Sequence, residues 1–451
     1  MMNGIRCRAY PTPDQQNTLA QWIGCARVIY NAKVAEMKYF YTFSRKALGV
    51  GPMPEIDQTY SQFKDPELTP FLSELPSQIL RNSSTQFMTA WQRFRKGLAK
   101  RPAHKKKGRR DSVLLTSELF RFDKDGTLFI GTQKHNLGSL KFSLHANVVY
   151  PKTIVISQKA GRWYISFCFD DPTWETPRLR EDILSDLSHL TEEHLAAVTW
   201  AGDRGVNEIL HGSDGQVFHL ADPAMARDKR RQARKKHLQK KLAKQQKGSA
   251  HQKESRRRQK TKAAIARISV QQANVRKNFA HQVSAKLVNN PEIQVFTFED
   301  LKIANMTARA KPKQDEKTGV YLPNGAAAKS GLNRSILQSC WGNITLFTYY
   351  KAARVNKVAI KVPAQFSSQT CSACGHTSAK NRSGKRFLCT SCGFMADADF
   401  NASQVLRQRG VRHVLDLDWM AKKPSKKVSF MKNRARNTSV KNYVAEAGAE
   451  A

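Results

Sequence analysis

The spacing of apolar residues predicts helices near the start of the chain. Apolar residues recur every three to four positions from about residue 13 and again over about 77–98, as in helices with one buried face. Thr12 and Gln15 have the spacing of a capping box, in which each side chain bonds the other residue's backbone amide. We therefore predict a helical unit over 12–110.

The pattern changes to short alternating runs after Asp111, which is typical of strands with one buried face. The predicted strands are 113–115, 128–130, 140–142, 148–150, 153–157 and 163–169. They predict a small antiparallel barrel. A strand predicted over 4–9 is expected to join it, which makes the helical unit an insertion. The polar, acidic stretch 171–192 predicts a linker.

A third order of elements begins near residue 195. The pattern predicts a strand, a hairpin, a long helix, a strand, a helix, a strand and a closing helix, which is the order of an RNase H-like domain. The segments are 195–200, 209–217, 265–287, 293–299, 337–347, 358–362 and 400–409. The polar, basic tail over 412–451 is given no predicted structure.

The charge of the chain predicts a polyanionic partner. Its 451 residues include 76 Lys and Arg against 36 Asp and Glu, a formal charge of +40. Nucleic acid is the partner that fits such an excess. Ribosomal and histone-like proteins match the charge, but they are usually shorter and less apolar than this chain, in which 40% of residues are hydrophobic.

The sequence favours a protein of the cytoplasm. It begins without a hydrophobic signal region and has no apolar run of about 18 residues, so no membrane contact is expected. Four scattered cysteines in apolar surroundings are expected to be reduced core residues, as is usual in the cytosol. They are Cys7, Cys25, Cys168 and Cys340.

Four further cysteines form two C-x-x-C pairs, which suit one tetrahedral zinc ion. They are Cys371, Cys374, Cys389 and Cys392. A glycine follows each pair and lets the backbone amides turn back toward the sulfurs. Disulfides and free thiols are the alternatives.

Acidic residues end two predicted strands and begin the closing helix. Asp203 and Glu299 follow strands, while Asp397 or Asp399 lies at the helix start. Carboxylates are the ligands that Mg²⁺ prefers, and two such ions are able to cleave a phosphodiester. Each acid alone has an ordinary explanation as a turn cap, a partner of a lysine or a helix N-cap.

Together these motifs make the chain similar to the TnpB (OrfB) family of transposon-encoded, RNA-guided DNA endonucleases, relatives of the miniature type V CRISPR effectors. The resemblance covers about residues 1–410. Its motifs are Tyr10-Pro-Thr-Pro, Gly24-Cys-Ala-Arg-Val-Ile-Tyr-Asn31, Gly202-Asp-Arg-Gly-Val206, Phe298-Glu-Asp-Leu-Lys302, Gly331-Leu-Asn-Arg-Ser335, Ser368-Gln-Thr-Cys371, Cys389-Thr-Ser-Cys-Gly393 and Asp397-Ala-Asp-Phe-Asn-Ala402.

The resemblance implies an α+β multidomain protein. It comprises a wedge-type β-barrel, an inserted helical recognition domain, an RNase H-like (RuvC) nuclease domain, a zinc-binding insertion and a disordered basic tail. The corresponding residues are 1–11 with 111–190, 12–110, 191–366 with 394–411, 367–393, and 412–451.

The resemblance also implies the roles of the acids. Asp203, Glu299 and Asp399 match the three catalytic acids that hold two Mg²⁺ ions, and Asp399, not Asp397, precedes the x-Asn-Ala step. One departure is Ala201, because the family usually has Gly, an aliphatic residue and then Asp where this chain has Ala201-Gly202-Asp203.

Two basic stretches are expected to contact nucleic acid through phosphates. The longer one, 227–262, holds seventeen Lys and Arg against two acids. Residues predicted to make such contacts are Lys105, Lys106, Lys107, Arg109, Arg110, Arg230, Arg231, Arg234, Lys235, Arg256, Arg257 and Arg258. The aromatic residues Trp22, Tyr30, Trp91 and Phe94 are expected in the core, with base stacking as the alternative.

The function that the resemblance implies is RNA-guided, Mg²⁺-dependent cleavage of double-stranded DNA beside a short motif. The protein is expected to act in the prokaryotic cytosol as a monomer in a ribonucleoprotein with guide RNA, with a dimer as the alternative. Rival functions are a compact CRISPR effector, a non-cleaving guided repressor or transposition accessory protein, and a DDE-like transposase.

Overall fold

Two compact units make up the described part of the chain in the computed structural model, one within Met1–Glu175 and the other within Thr176–Lys423. The structure describes residues 2–46, 57–109, 111–145, 150–170, 175–206, 208–245 and 254–416. Some predictions therefore fall outside the described residues in whole or part: Arg110, the strand over 148–150, parts of the helical unit over 12–110, of the linker over 171–192 and of the basic stretch 227–262, and most of the tail over 412–451.

The first unit combines two long helices with short strands. Its elements are β1 (Met2–Ala9), α1 (Pro13–Lys46), α2 (Ser77–Arg95), β2 (Asp111–Thr116), β3 (Phe120–Phe122), β4 (Leu128–Gly131), β5 (Asn136–Ser139), β6 (Phe142–Ser143), β7 (Thr153–Lys159) and β8 (Arg162–Asp170). The strand predicted at 140–142 is displaced, because β5 ends at Ser139 and β6 begins at Phe142.

Strand β1 belongs to the sheet that the later strands build. The five-stranded order is β2-β7-β8-β1-β6, and β1 pairs antiparallel with β8 from Met2↔Asp170 to Ala9↔Trp163. A second sheet has the order β3-β4-β5. Helices α1 and α2 therefore lie between two strands of one sheet in the sequence, as the predicted insertion requires.

The capping box predicted at the start of α1 is confirmed. The Thr12 amide donates to Gln15 Oε1 at 3.1 Å, and the Gln15 amide donates to Thr12 Oγ1 at 3.3 Å. Gln15 Nε2 also donates to the carbonyls of Leu137 and Ser139, which ties the helix to β5. The predicted aromatic core is also found, since Trp22, Tyr30 and Trp91 are buried and Phe94 packs against the cluster that contains Tyr30 and Trp91.

The second unit contains a mixed sheet, several helices and a small three-stranded ribbon. Its elements are α3 (Arg180–Ser188), α4 (Glu192–Ala197), β9 (Thr199–Asp203), β10 (Leu210–Gly212), β11 (Val217–Phe218), α5 (Asp222–Lys244), α6 (Arg256–Val288), β12 (Val295–Glu299), α7 (Ile303–Met306), β13 (Lys313–Gln314), β14 (Tyr321–Leu322), α8 (Ala326–Gln338), α9 (Trp341–Arg354), β15 (Val358–Val362), β16 (Arg382–Ser383), β17 (Arg386–Leu388), β18 (Met395–Asp397) and α10 (Ala398–Leu415).

The central sheet has the order β11-β10-β9-β12-β15. Strands β9, β10 and β11 are antiparallel, whereas β12 runs parallel to both β9 and β15. This is the predicted RNase H-like arrangement. Because β9 and β12 are parallel, their carboxyl ends meet at one edge of the sheet.

The predicted linker over 171–192 is wrong for its second half. Helix α3 lies there and buries Ile183, Leu184 and Leu187 in the core cluster that contains Val295 and Val358. The spacing of these three apolar residues places them on one helical face, although the surrounding composition is polar and acidic.

Two boundaries also differ from the prediction. The strand predicted at 195–200 begins only at Thr199, because Leu195 belongs to α4, whose N-cap Thr191 accepts from the His194 amide. The helix predicted over 337–347 is two helices. Cys340 has a φ of 53°, a left-handed conformation that ends α8 and starts α9.

Part of the basic stretch 227–262 is built into helices α5 and α6. Arg258 is buried, and its Nε donates to Glu254 Oε1 at 2.6 Å. Its Nη1 donates to the carbonyls of Leu242 and Gln245 at 2.6 and 2.8 Å, where α5 ends. This guanidinium therefore caps a helix C-terminus, and the nucleic-acid contact predicted for Arg258 stays a prediction.

None of the helices in the described ranges is long and apolar enough to cross a membrane.

Replacing Arg258 with Ala is expected to destabilise the second unit. The substitution leaves the Leu242 and Gln245 carbonyls and Glu254 without their buried donor, a loss of about 1–3 kcal/mol. Thermal unfolding measures it as a lower Tm. Arg257→Ala is the matched control, because Arg257 is exposed, and equal Tm values for the two variants would contradict the capping role.

Candidate active site and metal centre

The four predicted zinc ligands come together in the ribbon β16-β17-β18. The Sγ atoms of Cys371 and Cys392 lie 3.7 Å apart, those of Cys374 and Cys389 lie 3.6 Å apart, and all four fall within 4.8 Å of one another. Zn–S bonds of about 2.3 Å in a tetrahedron place sulfurs at about this separation. A disulfide needs about 2.05 Å, so this geometry fits one zinc ion and not two disulfides.

Each C-x-x-C pair turns back on itself at a glycine. Gly375 and Gly393 have φ angles of 77° and 75°, and their amides donate to the Cys371 and Cys389 carbonyls. The backbone amide of Cys392, followed by that of Ser391, lowers the pKa of Cys389 to about 6. The turn therefore stabilises the thiolate form that binds a metal.

Asn381 joins the two cysteine turns. It is 1% exposed, and its Nδ2 donates to the carbonyls of Gln369 and His376 on the first turn. Its Oδ1 accepts from the amide and hydroxyl of Thr390 on the second turn. One buried side chain therefore fixes the separation of the two cysteine pairs.

Helix α10 is attached to the same ribbon. Asn401 is fully buried; its Oδ1 accepts from the Ser372 amide at 3.0 Å and its Nδ2 donates to the Thr370 carbonyl at 2.8 Å. The Ala398 amide donates to the Lys385 carbonyl at 2.7 Å. The first turn of α10 thus takes its position from the cysteine centre.

Asp203 and Glu299 lie side by side at the carboxyl edge of the central sheet. Gly202 pairs with Phe298 in the parallel register, so the next residues of β9 and β12 are neighbours. Glu299 is 6% exposed, and Asp203 is partly buried. The structure therefore brings together the two acids that the sequence predicts at strand ends.

The structure separates the roles of Asp397 and Asp399. Asp397 caps α10, since its Oδ1 accepts from the amides of Asp399 and Phe400 at 2.9 and 3.1 Å. Asp399 accepts a hydrogen bond from Arg382 Nη2 at 2.9 Å. The negative charge of Asp399 also raises the pKa of Asp203. Of the two aspartates, Asp399 is therefore the one that interacts electrostatically with Asp203.

Burial and mutual repulsion oppose ionisation of these acids. Burial, the Glu299 charge and the Asp399 charge raise the pKa of Asp203 to about 7, and Arg382 opposes them. Burial raises the pKa of Glu299, while Arg204 opposes that shift. A cation between these oxygens relieves the repulsion, and hard oxygen ligands suit Mg²⁺.

The two centres differ in how closely their ligand atoms approach. Among the residues that the structure describes, the four cysteines are the only group of three or more His, Cys, Asp and Glu side chains close enough to hold one ion. Asp203, Glu299 and Asp399 are neighbours, but their carboxylate oxygens do not form such a close group.

Three residues near the acids were not predicted from the sequence. Arg204 donates to Thr345 Oγ1 at 2.6 Å and lies over the Phe298 ring. His211 pairs with Asp203 across β9 and β10, with its Nε2 3.9 Å from Asp397 Oδ1. Arg382 lies in the basic segment 379–386 between the cysteine pairs. The basic composition of this segment was the available indication of a role for Arg382.

Comparisons with known proteins agree with this geometry. A family model described as "Cas12f1-like, TNB domain" matches residues 341–406, and a "Helix-turn-helix domain" model of the OrfB IS605 type matches residues 1–45. The latter residues form β1 and most of α1.

Relatives match nearly the whole chain. A protein of Escherichia coli K12 named "Putative RNA-guided DNA endonuclease InsQ" is 28% identical, over 91% of this chain and 92% of its own. A Streptomyces pristinaespiralis protein named "Putative RNA-guided DNA endonuclease" is 25% identical, over 90% and 89%. The chain is similar to these endonucleases and to the OrfB-type model over nearly its whole length and its first 45 residues, respectively.

One solved structure shows that this chain shares its fold with a CRISPR effector. A cryo-EM structure of a Cas12f1–sgRNA–target DNA complex has a TM-score of 0.52 and 10% identity, covering 90% of this chain and 98% of that one. Over a short segment, the endodeoxyribonuclease Cas12f1 of Sulfoacidibacillus thermotolerans is 43% identical, across 12% of this chain and 13% of its own.

The residues predicted to contact nucleic acid differ in exposure. Lys106, Lys107, Arg109, Arg230, Arg234, Arg256 and Arg257 are exposed, while Arg231 and Lys235 are half-buried. Lys105 is also half-buried; its Nζ donates to Gln86 and lies 3.8 Å from the centre of the Tyr30 ring. Burial lowers the pKa of Lys105 to about 8.

The protein is expected to purify with one zinc ion, and Cys389→Ser to lose it. Loss of the ion is also expected to loosen the cysteine turn that hydrogen-bonds Asn401 of α10, so Tm is expected to fall by several degrees. Elemental analysis and thermal unfolding measure the two effects. Cys25→Ser is the control, because Cys25 lies in the first unit; full zinc content in Cys389→Ser would contradict the assignment.

Asp203→Asn is expected to stabilise the protein in the presence of a chelator. The folded pKa of about 7 exceeds the unfolded value of about 3.9, so Asp203 contributes stability at low pH that is lost as pH rises through 7. Above pH 7 the Tm of the variant should be at least ~2 °C above that of the parent, which corresponds to roughly 1 kcal/mol in the free energy of unfolding.

The same comparison at lower pH tests the sign of this effect. The difference in Tm between Asp203→Asn and the parent should shrink toward pH 4, where both forms are neutral at this position. Asp300→Asn is the control, because the Asp300 side chain is 59% exposed. A Tm difference that is the same at every pH would contradict the repulsion.

Proposed function

We propose that the chain is an RNA-guided DNA endonuclease that uses Asp203, Glu299 and Asp399. The observation that carries the proposal is the convergence of these acids at one edge of an RNase H-like sheet, beside a cysteine centre that holds the third acid. Relatives aligned over nine-tenths of the chain have names that state this activity.

Two Mg²⁺ ions are the cofactors that fit the acidic site. Its donors are hard carboxylate oxygens, and burial is the largest cause of the raised pKa values of Asp203 and Glu299. When bound there, Mg²⁺ activates a water and stabilises the departing oxyanion. Asp203 and Glu299 would hold the ions from the sheet, and Asp399 would hold them from α10.

Neighbouring residues of the chain keep the acids in place. Asp397 caps α10 and fixes the start of the helix that presents Asp399. Arg204 lies between the charges of Asp203 and Glu299 and is anchored on Thr345 and Phe298. Arg382 balances Asp399 and is a cation close to where a DNA phosphate must lie.

Guide RNA and double-stranded target DNA are the proposed partners. Base pairing reads the sequence in guided nucleases, and the protein grips the duplex backbone. The net charge of +40 supports such a grip. The structural relative described above was solved with both a guide RNA and a target DNA, and a single copy of this chain in the ribonucleoprotein stays our expectation.

A compact CRISPR effector is the second candidate. The TNB domain match and the local similarity to Cas12f1 favour it. Sequencing of the RNA that copurifies with the protein separates the two: a transposon-end transcript with a variable segment supports the first, and a repeat-derived RNA supports the second. Heterogeneous RNA would contradict both.

Glu299→Gln is expected to abolish cleavage and leave DNA binding by the ribonucleoprotein unchanged. Loss of a metal ligand removes several kcal/mol of transition-state stabilisation, or about 10³-fold in rate. Asp300→Asn is the matched control, because it is the adjacent acid, is exposed and pairs with Lys361. Single-turnover cleavage and gel-shift assays measure the two properties. Parental cleavage by Glu299→Gln would exclude this site.

A further inference from the structure

A separate cleft lies in the second unit between α5, α6 and the end of α8. Its volume is about 510 Å³. Helix α5 provides one wall, and the loop after β9 provides part of the floor. The loop begins directly after Asp203 and includes Val206 and Ile209, which line the cleft. The cleft therefore adjoins the sheet edge that carries the acids.

The floor of the cleft is apolar and open. It is lined by Val206, Ile209, Leu220, Met225 and Val275. Met225 is 43% exposed and Val206 is 39% exposed, although large apolar side chains generally gain from burial. A flat, weakly polar group of a ligand therefore fits against this floor.

Three cations border this floor. Lys229 and Lys236 lie seven residues apart on α5, and Arg276 faces them from α6. Lys and Arg at such a position attract an anion, and none of the three forms an ion pair with a residue that the structure describes.

A buried hydrogen-bond acceptor favours one orientation of a ligand in the cleft. Asp228 Oδ2 accepts from Gln272 Nε2 at 3.3 Å, whereas Asp228 Oδ1 is buried and accepts no hydrogen bond from the described residues. A phosphate lacks a donor for this oxygen and is repelled by it. An amino or imino group of a nucleobase is able to satisfy it.

We propose that this cleft holds one unpaired nucleotide of a nucleic-acid strand. The base lies on the apolar floor with a donor toward Asp228, and the backbone phosphates lie against Lys229, Lys236 and Arg276. An apolar floor, a cationic border and an unsatisfied acceptor are the features expected of a protein site that holds a nucleotide whose base is turned out of a stack.

The proposal rests on the proposed function for its location. A strand that crosses the acids passes the loop that follows Asp203 and carries Val206, so a nucleotide close to the cleaved bond is the one that reaches the cleft. The strand is either target DNA or guide RNA, since both offer the same base and phosphate.

Filling the cleft tests the proposal with a matched pair of variants on α5. Ala233 lines the cleft and Ala243 does not, and both are exposed alanines of that helix. Ala233→Trp is expected to weaken binding of a short fluorescent single-stranded oligonucleotide about tenfold relative to Ala243→Trp, as for loss of one stacked base. Equal affinities of these variants, each with parental circular dichroism, would overturn the proposal.

Photocrosslinking locates the base directly. Oligonucleotides with one 5-iodouracil, as DNA and as RNA, are bound to the full chain carrying Glu299→Gln. A cross-link at Met225 or Val206 that Ala233→Trp abolishes supports the cleft, and the nucleic acid that gives it identifies the strand. Cross-links confined to other residues would overturn it.

The salt dependence of binding tests the cations. Lys236→Gln is expected to lower the slope of log affinity against log salt by about one. An unchanged slope counts against phosphate contact in the cleft. These binding results are independent of cleavage: loss of binding in Ala233→Trp without any DNA cleavage by the parent would retain the cleft and overturn the nuclease.

Discussion

The close approach of helix α10 to the central sheet sets the geometry of the acidic site. At Gly410 the helix backbone lies so near β12 that a methyl group would come within 2.2 Å of Thr297 Oγ1 and 3.1 Å of its Cβ. Thr297 is fully buried and β-branched, so it has little freedom to move. A larger residue at Gly410 would lift the helix and carry Asp399 away from Asp203 and Glu299.

The electrostatics of the chain follow from two opposite arrangements. Most of its excess positive charge is spread over exposed lysines and arginines, where water screens it. Three acids, by contrast, come close together where α10 meets one edge of the central sheet, and burial and repulsion there raise the pKa of Asp203. The fold therefore retains a local anionic site, which attracts divalent cations, inside a protein that attracts nucleic acid.

Local patterns in the sequence were enough for much of the fold and for part of the site. The capping box at Thr12 and the C-x-x-C pairs depend on residues a few positions apart, so their spacing alone predicts their geometry. The strand-end acids Asp203 and Glu299 also follow from a local pattern, because a short, largely buried strand ends with each. The family resemblance indicates Asp399 and not Asp397 as the third acid. The structure agrees with this distinction, since Asp397 is the helix cap.

Long-range contacts are what the sequence pattern did not contain. Arg258 stands in a run of exposed basic residues, and only the end of α5, thirteen to sixteen residues earlier, makes it a buried cap. Arg382 became part of the site because the ribbon folds back on α10. Helix α3 was missed because polar residues outnumber the three apolar ones that reach the sheet.

The acidic site consequently has two parts with different supports. Asp203 and Glu299 depend on the parallel pairing of β9 and β12, which lies in the core of the second unit. Asp399 depends on the first turn of α10, which Asn401 and Ala398 tie to the cysteine ribbon. Because Arg382 comes from the same ribbon, a movement of the ribbon would displace the third acid together with the cation that balances it. The cysteine centre thus helps to set the position of Asp399 relative to Asp203 and Glu299, although none of the four cysteines belongs to the acidic site.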